Sequence, residues 1–212
     1  MLEIAGCSKT FQGGTANEVR PLRTVSLRIE AGTFVVVIGT NGSGKSTLLN
    51  AVAGAFPLDE GRIVLDGRDI TAWPEHRRAG LIGRVFQNPF SGTAPGMTIA
   101  ENLAMAARRG RFPGLGWALN RRIMAEFRGR VATLRMGLED RLDAEIGELS
   151  GGQRQALTLL MATWRRPDLL LLDEHTAALD PRSAERIIHL THEIVTSEKL
   201  TTLMVTHSMT QA

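Results

Sequence analysis

Two hydrophobic rhythms alternate along the chain, one of period two or fully apolar over a few residues, the other of period three to four. Val25–Ile29 alternates apolar and polar positions, the pattern of a strand with one buried face. Phe34–Ile38 and Leu169–Leu172 are apolar throughout, which predicts strands buried on both faces. Ile63–Leu65, Ile82–Phe86 and Leu203–Val205 are further strand candidates. Helical spacing predicts helices over Lys45–Ala53, Ile99–Ala107, Arg121–Arg135, Gly152–Trp164 and Ser183–Val195. Strands alternating with helices predict an α/β fold with a largely parallel sheet. Helices dominate between about Pro89 and Arg166, so a helical subdomain (89–166) is expected inside an α/β core (1–88 and 167–212). No internal repeat and no Pro-, Gly- and Ser-rich linker interrupts this order.

Composition narrows the class. The 212 residues are 43% hydrophobic and 22% charged, which excludes a disordered, collagen-like or low-complexity chain. No apolar run approaches the roughly 20 residues of a membrane-spanning helix. Met1-Leu2-Glu3-Ile4 has neither a basic nor an apolar leader pattern, so no signal peptide is expected. The single Cys7 has no internal disulfide partner, as expected for a reducing compartment. A net charge of +3 names no partner. The basic residues are nearly all arginine; the three lysines are Lys9, Lys45 and Lys199, which makes Lys45 stand out.

Lys45 lies in Gly39-Thr40-Asn41-Gly42-Ser43-Gly44-Lys45-Ser46, a G-x-x-x-x-G-K-[ST] pattern between an apolar strand and a helix. Glycines let such a loop curl its N–H groups inward onto phosphate oxygens, and the helix start adds its positive dipole end. Lys45 is placed to reach β- and γ-phosphates, and the Ser46 hydroxyl to bind Mg²⁺. The strand Leu169–Leu172 runs into Asp173-Glu174, delivering two acids to the carboxyl edge of the sheet. Asp173 suits the surroundings of the metal, and Glu174 a base that polarises water. The alternative is two acids opening a helix, where they favour its dipole.

Upstream of Asp173 stands Leu149-Ser150-Gly151-Gly152-Gln153, five residues whose chance occurrence is only about a few chains per ten thousand. Here the sequence resembles the ATP-binding cassette (ABC) ATPases over nearly its whole length. Leu149–Gln153 looks like the family signature, Leu169–Glu174 like the Walker B strand and Ala178-Leu179-Asp180 like the D-loop. Gln87 looks like the Q-loop glutamine and His207, in Val205-Thr206-His207, like the switch histidine. The resemblance implies a P-loop cassette with a RecA-like core, an antiparallel β-subdomain and an inserted α-helical subdomain. It implies ATP and Mg²⁺ as ligands, with Gly39–Thr47 around the phosphates. Glu174, His207, Gln87 and Lys45 take the catalytic roles, and Ser46, Gln87 and Asp173 surround the metal. Phe11 is the candidate aromatic for adenine, since the chain has no tyrosine. It further implies a head-to-tail homodimer or heterodimer, in which Ser150, Gly151, Gly152, Gln153 and Asp180 meet the partner's nucleotide. A hydroxyl and free N–H groups at a helix start make that signature an anion site in its own right.

Transmembrane permease subunits, an extracytoplasmic substrate-binding protein acting indirectly, and the cytoplasmic face of the membrane complete the implied setting. No nucleic-acid partner is expected. Segments after Gln87 and after Gln153, with Asp173–Ala178, look like a bacterial importer subgroup associated with amino acids, tryptophan-like ones among them. Export and a non-transport ATPase acting on nucleic acid or ribosomes are the alternatives. Relatives usually continue well beyond His207, so more chain is expected after Ala212. His175 departs from the family's usual proline; it either tunes Glu174, meets the partner's D-loop, or is a surface replacement. From Arg108 to Arg135 eight arginines accompany one acid, Glu126, with Phe112, Trp117 and Phe127 interleaved. That face reads as solvated surface, a nucleic-acid patch, or a contact with the permease or anionic lipid. His189 and His192 share a helix spacing and are read as structural.

Overall fold

The computed structural model describes residues 1–110 and 120–207. In chain order the elements are β1 (Leu2–Phe11), β2 (Val19–Ile29), β3 (Phe34–Ile38), α1 (Lys45–Ala53), β4 (Glu60–Leu65), β5 (Arg68–Asp69) and α2 (Glu75–Arg78). They continue with β6 (Ile82–Val85), α3 (Ile99–Arg108), α4 (Arg121–Ala132), α5 (Gly151–Thr163), β7 (Leu169–Asp173), α6 (Pro181–Glu198) and β8 (Thr202–Thr206).

Two four-stranded sheets result. One is antiparallel in the order β2-β1-β4-β5, with Leu2 of β1 opposite both Ile29 and Leu65. The other has the order β3-β8-β7-β6 and is parallel, with Val36 opposite Met204, Leu171 opposite Leu203 and Val85 opposite Leu172. Parallel pairing brings all four carboxyl ends to one edge. Gly39, His207, Glu174 and Phe86-Gln87 are the residues that leave that edge. This alignment positions the site.

The parallel sheet is a partition between two cores. Ile82, Leu169, Leu171, Leu203 and Val205 pack with α1 and the antiparallel sheet, against Leu48, Leu49, Leu2 and Leu65. Val85, Leu170, Leu172 and Met204 face the other way, toward Ile99, Leu103, Phe127, Leu157 and Ile187 of α3 to α6. Alternation along a strand sends neighbours to opposite faces. Each fully buried leucine contributes about 1.5–3 kcal/mol of transfer free energy.

The helix starts follow from capping chemistry. Thr98 and Glu101 form a reciprocal box at the start of α3, and Asn120 caps α4 through the Ile123 amide. Gly83 has a packing reason: a Cβ there would lie 2.5 Å from the Ala162 carbonyl oxygen at the end of α5.

Three expectations change. β3 is an edge strand and only partly buried: Val36 packs on one core and Val35 and Val37 on the other, while Phe34 and Ile38 are 43% and 45% exposed. β1 has no counterpart in the sequence reading because its pairing shifts register three times, which breaks the two-residue rhythm. α4 stops at Ala132 rather than Arg135, and Arg135 adopts a left-handed backbone.

The arginine-rich face is also partly spent on structure. Arg109 donates to the Ala162 carbonyl and Arg130 to the Trp164 carbonyl, at 2.8 and 2.7 Å. Arg130 also lies over the Trp164 ring, which meets buried Phe127 edge to face. Arg111, Phe112 and Trp117 lie outside the described residues.

Candidate functional site

The loop from Gly39 reaches α1 through Gly44, whose φ of 93° lies in the left-handed region. A Cβ at Gly44 would sit 2.4 Å from the Pro21 carbonyl oxygen, so only glycine fits. No side chain caps α1, and the amides of Lys45, Ser46 and Thr47 have no intrahelical acceptor. Lys45 is 8% exposed, and its Nζ donates to the carbonyls of Gly39 and Thr40 at 2.8 and 2.9 Å. The ammonium is thereby held over the mouth of the loop that it closes.

Across from it, the Ser46 hydroxyl donates to Asp173 Oδ1 at 3.1 Å, linking α1 to the end of β7. Glu174 follows with φ 42°, a left-handed position for a residue with a Cβ. Its amide donates to the Val205 carbonyl, and its Oε2 lies 3.1 Å from His207 Nδ1 and 3.4 Å from Gln87 Nε2. Three strand ends thus converge on one carboxylate.

A cavity of about 570 Å³ is lined by Phe11, Asn41, Gly42, Gly44, Lys45, Ser46, Thr47, Gln87, Glu174 and His207; Gly39, Thr40 and Asp173 are not among its lining. Phe11 is 37% exposed and packs edge to face on Phe56 with centroids 5.2 Å apart. The Lys9 ammonium lies over the Phe11 ring, 5.6 Å from its centroid, and the ring lines the rim of this cavity. Free amides at a helix start, a lysine and a rim aromatic fit a nucleoside triphosphate. A serine hydroxyl beside a carboxylate is a hard oxygen set suited to Mg²⁺, a cation completed by phosphate oxygens.

Not every expected residue meets this cavity. Ser150, Gly151, Gly152, Gln153 and Asp180 are not among its lining. Ser150 and Gln153 form a capping box at the start of α5, and Gln153 Nε2 also donates to the Met136 carbonyl. The Gln153 carboxamide is thus committed at both ends, which leaves the Ser150 hydroxyl and the glycine amides as the ligand-ready groups. Asp180 caps α6, and its bonds from Ser183 hold its carboxyl below the usual carboxylate range. The starts of α5 and α6 are neighbours, since a Cβ on Gly152 would lie 3.0 Å from Ser183 Oγ.

His175 is not a surface replacement. It is 2% exposed, with Nε2 3.1 Å from Thr191 Oγ1 on α6, and burial lowers its pKa to about 4. Sequence reasoning also missed Gln155, which donates to the carbonyls of Phe86 and His175 and so ties α5 to the ends of β6 and β7. It missed Arg84, which pairs with Asp173 at 3.3 Å. An arginine inside the otherwise apolar run Ile82–Phe86 was the available signal. Arg78, 2% exposed, donates to four carbonyls around the end of α1.

Comparisons with known proteins identify the family and the fold. A family model described as "ABC transporter" matches residues 22–177. A tyrosine transport ATP-binding protein of Clostridioides difficile (strain R20291) is 42% identical over 100% of this chain and 84% of its own. The lipoprotein-releasing system ATP-binding protein LolD 1 of Caulobacter vibrioides is 35% identical over 98% and 86%. Among solved structures, a dimeric ATP-binding cassette in a post-hydrolysis state with ADP and Pi superposes with a TM-score of 0.84. It is 26% identical, and the match covers 100% of this chain and 90% of that one.

Proposed function

Because the chain belongs to the ABC transporter family of ATP-binding subunits, we propose that two copies close around two ATP molecules and drive a permease that imports a small solute of the amino-acid class. The observation that carries this reading is a division within one chain. The Lys45 loop and Glu174 share a cavity, whereas the anion-ready start of α5 at Ser150 lies outside it. A second phosphate site on the same chain has a use if it serves the γ-phosphate of a facing copy.

In the proposed cycle the amides and Nζ around Lys45 hold the β- and γ-phosphates. Ser46 and Asp173, with Gln87, would hold Mg²⁺, which when bound would supply charge neutralisation on the phosphate oxygens. Glu174 accepts a proton from the attacking water, and His207 and Gln87 keep its carboxylate aimed. Phe11 stacks on the adenine. Ser150–Gly152 of a facing copy complete the γ-phosphate cage, with Asp180 near the junction. Closure is then favoured by contacts that exist only in the closed dimer, and hydrolysis removes them.

The amino-acid class is supported by the 42% identity to the tyrosine transport protein, and import by the 34% identity to a methionine import ATP-binding protein of Rhodococcus jostii. The lipoprotein-releasing relatives, at 33–35% identity, favour extrusion as the second reading. Among the described residues no helix is long and apolar enough to cross a membrane. In the proposed arrangement the chain docks on transmembrane permease subunits at their cytoplasmic face. A second cavity of about 520 Å³, opening between α3, α5 and β6 beside exposed Met105, suits an apolar permease segment. An extracytoplasmic binding protein enters only through that permease.

The test is Glu174→Gln with ATP and Mg²⁺ on a sizing column. The variant is expected to bind ATP, lose at least about a hundredfold in turnover and elute as a dimer. An ATP-loaded variant that stays monomeric would sink the sandwich.

A further inference from the structure

β6 buries Ile82, Gly83 and Val85, yet it carries a charge between them. The Arg84 side chain is only 13% exposed, with its guanidinium stacked on Phe86 at 4.5 Å from the ring centroid. Nη2 donates to Asn50 Oδ1 of α1 at 2.7 Å and to Asp173 Oδ2 at 3.3 Å. Asp173 therefore divides its oxygens, Oδ1 to Ser46 and Oδ2 to Arg84. Neither the phosphate loop nor the Glu174 cluster explains this arginine.

We propose that Arg84 is a positioning residue that sets the divalent-cation requirement of the site. It serves as the counter-charge of Asp173 in the cation-free state and weakens the hold on an arriving cation. The inference rests on the reading of Ser46 and Asp173 as the Mg²⁺ site. The guanidinium lies 3.3 Å from the Asp173 carboxylate, so its positive charge opposes a second cation there. It is also fixed in place, by Asn50 on one side and the Phe86 ring on the other. Two effects compete when it is removed. Repulsion disappears, which favours the cation; one anchor of Asp173 is lost, which disfavours it. The first wins here, because the Ser46 hydroxyl still holds the Asp173 carboxylate at Oδ1, on a main chain fixed by its pairing with β8.

Binding of a fluorescent ATP analogue to the whole chain, titrated with Mg²⁺, reads this directly. Arg84→Met is expected to lower the half-saturating Mg²⁺ about tenfold, with Arg84→Lys close to the parent. Affinity for the analogue in EDTA should stay within about threefold of the parent. A merely structural arginine would instead lower nucleotide affinity equally with and without Mg²⁺. An unchanged or higher Mg²⁺ requirement in a folded Arg84→Met protein overturns the inference. If that variant does not fold, Arg84→Gln is held to the same criterion. A parent chain that binds the analogue indifferently to Mg²⁺ overturns the metal reading itself, and this inference with it.

Discussion

Glu174 and His175 are adjacent, yet their surroundings give them opposite constraints. Glu174 sits in left-handed backbone, which costs a residue with a Cβ about 1–2 kcal/mol, and two backbone bonds hold it there. That turn swings the Glu174 carboxylate to Gln87 and His207 while His175 goes under α6. A folded-state pKa of about 4 for His175 is depressed below the ordinary value near 6.5. The unfolded chain then binds the extra proton first, so stability present above about pH 6.5 is lost as the pH falls toward about 4. The loss is on the order of 3 kcal/mol. Denaturant midpoints across that range should fall more steeply for the parent than for His175→Phe; parallel curves would remove His175 from the acid sensitivity. The identity of these residues was legible in the sequence, but their burial was not. Nothing local distinguishes a histidine under a helix from one on a surface, because α6 lies on it only in three dimensions.

At the scale of elements, β7 offers a sharper experiment. Leu170 and Leu171 are both fully buried but serve different cores. Truncating either to alanine should cost about 2–5 kcal/mol. Only Leu171→Ala, which opens the core beneath α1, should also weaken binding of a fluorescent ATP analogue by the monomer. Equal affinity losses in both variants would show that the partition does not isolate the phosphate loop. Strong local signals made β7 and α1 readable: an unbroken apolar run for one, a glycine cap and helical spacing for the other. β3 had the same apolar run but lacks a strand on one side, and a run of five apolar residues carries no record of how many neighbours it has. β1 was hidden by its bulges, although Leu2, Ile4 and Cys7 are all buried.

For the whole molecule, the decisive relation is the distance between functions rather than a contact. If the α5 start serves a facing copy, Ser150→Arg should abolish turnover and leave monomer affinity for ATP within about twofold, because the loss falls on a contact made only in the dimer. Calorimetric titration checks it, and a matching loss of monomer affinity would assign Ser150 to its own chain's nucleotide. The loop, the two acids, Gln87 and His207 were foreseeable because short motifs carry them to one sheet edge, whereas Phe11 arrives from the end of β1 in the other sheet. Arg84, Asn50 and Gln155 were not, because they act across elements distant in sequence.

The partition has a mechanical consequence. β7 is gripped on both faces by dry packing, and it ends in Asp173-Glu174. If the helices on one face rock against the sheet, the two fully buried central strands, β7 and β8, would act as the fulcrum, and their tips at Glu174 and His207 would travel least. Gln87, just past the edge strand β6, and Ser150, at the start of α5, would ride the levers. Aim would then belong to the pivot and timing to the arms.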